Sequence, residues 1–195
     1  MQAGGRLGEG DDMIWMILGL ALWSVAHLFK RLAPEARGGM GDRGKGLVAL
    51  GVLAGVVLMV IGYRAWDDSA PLWNSSVALV GINNTLMLVA VYLFAASGMK
   101  TRITQVIRHP QLTGVILWAV AHLLANGDVA SLVLFGGLAL WAVVEMVLIN
   151  AGGPWVRAGA RSSAGKEVGA VVGAIAVTLA IGYAHTWFGL SPWGA

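Results

Sequence analysis

Six apolar stretches constrain this chain more than anything else in it: Met13–Ala33, Gly46–Trp66, Leu72–Gly98, Pro110–Asn126, Val129–Ile149 and Val168–Phe188. Most are near the ~20 residues that a helix needs to cross the hydrocarbon of a bilayer; the third is longer, enough to tilt or to begin outside it. In lipid a backbone must satisfy its own N–H and C=O groups, so segments of this kind are helical. The expected fold class is therefore all-α, a polytopic membrane helix bundle of six spans. It forms one domain over residues 13–195, behind a short polar tail at residues 1–12. Composition agrees, with 57% hydrophobic and only 12% charged residues, about half the charge fraction of a soluble domain.

Orientation follows from Lys and Arg in alternate connections. Lys30, Arg31, Arg37, Arg43 and Lys45 follow the first span, Lys100, Arg102 and Arg108 the third, and Arg157, Arg161 and Lys166 the fifth. Eleven of the thirteen basic residues thus fall on one side. Arg6 and Arg64 remain on the other, with Glu9, Asp11, Asp12, Asp67, Asp68 and Asp128. By the positive-inside rule both termini face away from the cytoplasm. Trp15, Trp66, Trp73, Trp187 and Trp193 fall near outer ends, as an interfacial belt requires. The opening MQAGGRLGEGDD has no basic n-region and no cleavage site, which predicts a retained first helix rather than a signal peptide; Met13 could be the natural start. A net charge of +3 is accounted for by membrane orientation and gives no reason to invoke nucleic acid. With no cysteine there is no disulfide, thiolate metal site, cysteine nucleophile or C-x-x-C-H haem attachment. Phosphate loops, zinc-protease motifs and serine elbows are also missing.

Ile107 to Asp128 is the most informative stretch. Arg108-His109-Pro110-Gln111 opens a helix with proline in its first turn, and Asn126-Gly127-Asp128 closes it. His109 and His122 are thirteen residues apart, about 20 Å along a helix. Leu117-Trp118-Ala119-Val120-Ala121-His122-Leu123 matches Leu22-Trp23-Ser24-Val25-Ala26-His27-Leu28 at six of seven positions. Since those spans run in opposite directions, the match points to an inverted repeat of two three-helix halves. The four-residue spacing puts each Trp on the same face as its His, a wall for a flat ligand. Gly51 with Gly55, and Gly169 with Gly173, are small-xxx-small pairs read as packing contacts.

Ionisable residues inside membranes are functional suspects, and all four histidines lie in or at the ends of spans. Histidine is the usual proximal ligand of haem iron, so His27, His109, His122 and His185 are the candidate metal ligands. Trp23, Trp118 and Arg108 are the candidate cofactor contacts. Depth alone pairs His27 with His109 and His122 with His185, giving one or two b-type haem sites. Glu145, the carboxylate within a span, reads as a structural partner of Arg157, Arg161 or Arg108 before it reads as a proton-transfer group. Of Asn83 and Asn84, one can bond within the bundle while the other contacts a cavity. No catalytic residue is identified.

Trp23-x-x-x-His27-Leu28, Arg108-His109-Pro110-Gln111 with Trp118-x-x-x-His122 and Asn126-Gly127, and Tyr183-Ala184-His185 with Ser191-Pro192-Trp193 together resemble the NnrU family, from Met13 onward. These are bacterial membrane proteins associated with nitrogen-oxide respiration (denitrification), similar to the 15-cis-zeta-carotene isomerase of plants and cyanobacteria. The resemblance implies a six-helix protein of the bacterial inner membrane that binds haem b, with His27 and His122 as axial ligands. That pairing and the depth pairing stand as alternatives. It implies either a haem-dependent cis-trans isomerase acting on an apolar polyene taken from the lipid, or an accessory or electron-transfer protein whose partner is a nitrogen-oxide reductase component. The isomerase has a cysteine three residues before the position of His122; this chain has Ala119. Arg108-His109-Pro110-x-x-x-Gly114 is also similar to isoprenylcysteine carboxyl methyltransferases, where the motif helps bind S-adenosylmethionine. Those enzymes usually have an aromatic at the position of Leu112, and a paired-glutamate element downstream that Glu145 does not reproduce.

Overall fold

A computed structural model of the chain describes residues 9–66, 69–157 and 162–193, with side chains from Met13 onward. Arg6, Asp67, Asp68 and Arg161, which entered the charge count, lie outside the described residues, as does most of the expected polar tail. Among the described residues there are seven α-helices and no strand. Five of the helices are long and apolar enough to cross a membrane, and a sixth apolar helix, Pro110–Ala125, is shorter. At 16 residues it extends about 24 Å, less than the ~30 Å hydrocarbon. Proline fixes its start, and Asn126, in extended conformation, ends it.

The packing is the reverse of a water-soluble core. Ala90, Ala96, Ala119, Ala121, Ala142, Ala170 and Ala174 are buried, whereas Val25, Leu53, Leu140, Val147 and Val168 are each at least 60% exposed. Lipid solvates large aliphatic side chains, while small residues let helix backbones approach.

Two compact units divide the chain. The first holds α1 (Glu9–Leu32), α2 (Pro34–Gly39), α3 (Gly41–Ala65) and the opening turns of α6 (Val129–Ala151). Helix α1 begins before the expected Met13. Pro34 opens α2, and Gly41, at φ +53°, turns the chain into α3, a conformation that suits glycine. Helices α1 and α3 run antiparallel and cross at two glycines. A Cβ on Gly19 would stand 2.6 Å from the Met59 nitrogen, and one on Gly55 would stand 2.9 Å from the Trp23 nitrogen. Gly51 faces Ala26 on the same seam, so the Gly51 and Gly55 pair packs as the sequence predicts. At the far end of α3, Asp128 organises the polar groups. Its carboxylate accepts bonds from the Ser131 amide (2.8 Å), the Ser131 hydroxyl (2.8 Å) and the Ser69 hydroxyl (3.2 Å). Tyr63 shares a hydrogen bond with Ser131 at 2.9 Å. Asp128 is thus the N-cap of α6 and the anchor of the segment leaving α3.

The second unit holds α4 (Val77–Met99), a 3₁₀ turn (Arg102–Gln105), α5 (Pro110–Ala125), the rest of α6 and α7 (Ala164–Trp187). Helix α4 starts five residues later than the hydropathy suggests, because the Ser76 hydroxyl caps the Leu79 amide at 3.3 Å. Lys100, at φ 56°, ends it. Helix α5 lies against α4 at Gly114, whose Cβ would stand 3.0 Å from the Ala90 carbonyl. Helix α7 meets the end of α4 where Gly169 faces Met99, whereas Gly173 faces open space; that small-residue pair packs at only one of its members. The backbone amide of Arg102 donates to Glu167 on α7 at 2.9 Å.

Candidate functional site

Three of the four histidines are held in the same way. His27 Nδ1 lies 2.9 Å from the Trp23 carbonyl, His122 Nδ1 lies 2.9 Å from the Trp118 carbonyl, and His185 Nδ1 lies 2.8 Å from the Ile181 carbonyl. A carbonyl oxygen can only accept, so Nδ1 is the donor in each of these bonds. An Nδ1–H bond of this kind is what fixes ring orientation and raises ligand basicity in metal-binding imidazoles. Each acceptor lies one helical turn back, so the arrangement is built into the helices. His27 and His122 also sit against the Trp four residues earlier, with ring centroids 4.1 Å and 4.8 Å apart. The Trp-x-x-x-His likeness between the two sequence halves is therefore a likeness of local structure as well.

His109 is held differently. It is the N-cap residue of α5, and its Nε2 donates to the side-chain oxygen of Asn150 near the end of α6, at 2.8 Å. Beside it, Arg108 Nη2 donates to the Gly153 carbonyl at 2.7 Å and approaches the Ile149 carbonyl at 3.5 Å. Those carbonyls belong to the C-terminus of α6, where a cation is favoured by the helix dipole. Arg108 and His109 together clasp the start of α5 to the end of α6. The two polar groups that a methyltransferase-like motif would offer to S-adenosylmethionine are thus engaged in helix-end bonds.

The other end of α5 is fixed by Trp73. Its backbone amide donates to the Gly127 carbonyl at 3.0 Å and its indole Nε1 to the Leu123 carbonyl at 2.9 Å. Any Cβ at Gly127 would collide with the Trp73 carbonyl. His122 and His185 belong to this same unit. His27 belongs to the first unit. Among the described residues no three or more His, Asp or Glu side chains converge on a metal-ion position. A porphyrin asks for less, since the macrocycle fills four positions on iron and the protein supplies one or two. Imidazoles oriented through Nδ1, with an indole beside His27 and another beside His122, are residue types that suit that demand.

Glu145 is 9% exposed on α6. Arg108 donates to the carbonyls at the end of α6 and Arg157 lies over the Trp155 ring at 5.2 Å; Arg161 is outside the described residues. Asn83 is buried and donates to Asn84 at 3.1 Å, while Asn84 lines a cleft, the division of roles expected of adjacent helical residues. Sequence reasoning missed Asn150 and the clasping role of Trp73, whose partners lie 41 and 50 residues away. It passed over Asp128 too, although Asp before an apolar run is an N-cap signal.

A family model described as NnrU protein matches residues 15–192. The chain belongs to the NnrU family. Among curated proteins and among solved structures nothing matches it significantly. The NnrU match takes in all four histidines, Trp23, Trp118 and Arg108, and runs from the first turns of α1 to Pro192, beyond the end of α7. Family membership and an all-helical architecture with several membrane-length apolar helices therefore stand together as those of a multi-pass membrane protein.

Proposed function

We propose that this NnrU-family protein holds haem b through Nε2 atoms of its span histidines, and that it serves nitrogen-oxide respiration in a bacterial inner membrane as an electron carrier or accessory protein. The observation that carries the reading is the shared anchoring of His27, His122 and His185, each with Nδ1 bonded one turn back, the second bond that orients a metal-ligating imidazole. His122 and His185 are the first pair to test, because they occupy one unit. Haem b, when bound, supplies reversible one-electron exchange at iron. The chain's part is to fix the imidazoles, to wall the macrocycle with Trp23 or Trp118, and to exclude water with apolar helices. A non-isomerase role is favoured by Ala119, which is fully buried and offers no sulfur where the zeta-carotene isomerase has its cysteine. Six spans with both termini outside the cytoplasm, in two inverted halves, form part of the same proposal, with α5 as the short sixth crossing.

The test is an absorption spectrum of protein purified after expression with ample haem, oxidised and then reduced. A Soret band that shifts on reduction is expected, and its absence overturns the proposal. Substituting each histidine by alanine then reads the pairing: loss confined to His122 and His185 supports the pair named here, whereas loss confined to His27 and His122 replaces it with the pairing implied by the isomerase likeness. Topology is read separately. The chain has no cysteine, so single cysteines placed at Asp42, Ser75 or Ser163 report their side of the membrane to an impermeant thiol reagent without background.

A further inference from the structure

Beside the start of α4 lies a cleft of about 540 Å³, lined by Ser75, Ser76, Val80, Gly81, Asn84 and Trp193. Its walls carry no charge, which disfavours a phosphate, carboxylate or ammonium group there. Its polar groups can all donate. The Asn84 side-chain oxygen is taken by Asn83, and this orients the amide so that its Nδ2 hydrogens are left for the cleft. Ser76 accepts from the Leu79 amide and keeps its hydroxyl hydrogen, and Ser75 adds a second hydroxyl at the mouth. Trp193 closes one side with a flat face. Its indole is seated on Gly182 of α7, where any Cβ would run into the ring. The mouth opens sideways, with the adjacent Val77 88% exposed. Asn84 stands seven residues into α4, about 10 Å along the axis, so the cleft runs from the helix end into the depth of the acyl chains.

We propose that this cleft binds the head of a neutral lipid that carries carbonyl oxygens on a flat ring, a quinone-class molecule. Asn84 and the serine hydroxyls donate to the carbonyls, Trp193 lies against the ring, and the tail leaves through the open side. Neutral walls, hydrogen-bond donors and an aromatic face at membrane depth select this chemistry over a charged headgroup, whose phosphate would find no cation. A cleft of this volume is within the range of small-molecule sites. None of its residues is a candidate iron ligand, so the site stands or falls independently of haem binding.

The experiment measures binding of a decyl-substituted dimethoxybenzoquinone to the full chain in nanodiscs by equilibrium dialysis, with decylbenzene as the carbonyl-free control. Saturable binding of the quinone at one site per chain is expected, with decylbenzene at least tenfold weaker. Asn84→Leu is expected to weaken quinone binding about tenfold, the size of a lost hydrogen bond with a carbonyl acceptor left unmatched. Gly81→Leu is expected to abolish it, because a side chain at Gly81 meets nothing within 4 Å and grows into the cleft. Circular dichroism and gel filtration establish folding, and where Gly81→Leu fails to fold, Gly81→Val and Asn84→Leu carry the test. Non-saturable uptake, equal binding of decylbenzene, or quinone binding unchanged in folded Gly81 and Asn84 variants would each overturn the proposal.

Discussion

The two ends of α5 carry the same residue type and put it to different uses. At the start, His109 gives Nε2 to Asn150, and Arg108 beside it caps α6. Toward the other end, His122 gives Nδ1 to its own helix, while Trp73 holds the helix terminus in place. Which ring nitrogen is engaged, and by what, distinguishes the two histidines where residue identity and hydropathy do not. A histidine at a helix start faces uncapped backbone and neighbouring helix ends. One in the body of a helix has the carbonyl four residues back as its nearest acceptor.

The comparison breaks first at His122. His122→Ala is expected to remove haem altogether, read as loss of the Soret band in protein that remains helical, while His109→Ala keeps the band; the reverse result would exchange the roles assigned to the two ends. Next in size is Gly127→Ala, which forces Trp73 off the end of α5 and is expected to destabilise the protein by about 2–3 kcal/mol, measured by titration with sodium dodecyl sulfate in mixed micelles. Arg108→Ala leaves carbonyls at the end of α6 without their charged donor and is expected to cost about 1.5–3 kcal/mol in the same assay, with haem content unchanged. Smallest is His109→Ala in that titration, about 1 kcal/mol for one neutral hydrogen bond. An effect larger than that of Arg108→Ala would mean that His109 does more than clasp α6.

Much of the helix layout was legible in the chain, for reasons visible at particular residues. Proline at 110 and the Asn-Gly pair at 126–127 bracketed α5 to within one residue of its observed end. Hydropathy misjudged the start of α4 because Leu72 and Trp73 are apolar but belong to the clasp on α5, and the helix waits for the Ser76 cap. It also missed the first turn of α7, where Ser163 caps the helix and Glu167 binds the 3₁₀ turn; polar end-turns look like loop to any hydropathy window. The histidines were legible as suspects, since ionisable groups in apolar segments need a reason. Their sorting was not. Asn150 and the carbonyls of α6 reach His109 and Arg108 only through tertiary folding, and no local pattern announces them.

The glycine crossing of α1 and α3 bears on how the protein is made. The glycine contacts of that seam, such as Gly19 on Met59 and Gly55 on Trp23, join residues close in the chain, with the six-residue α2 between the two helices. Such a pair can zip together in the bilayer while the rest of the polypeptide is still being synthesised. A bulky substitution at Gly19 would then strike during biogenesis, and its signature would be a nascent chain lost to quality-control proteolysis rather than a mature protein with an altered spectrum.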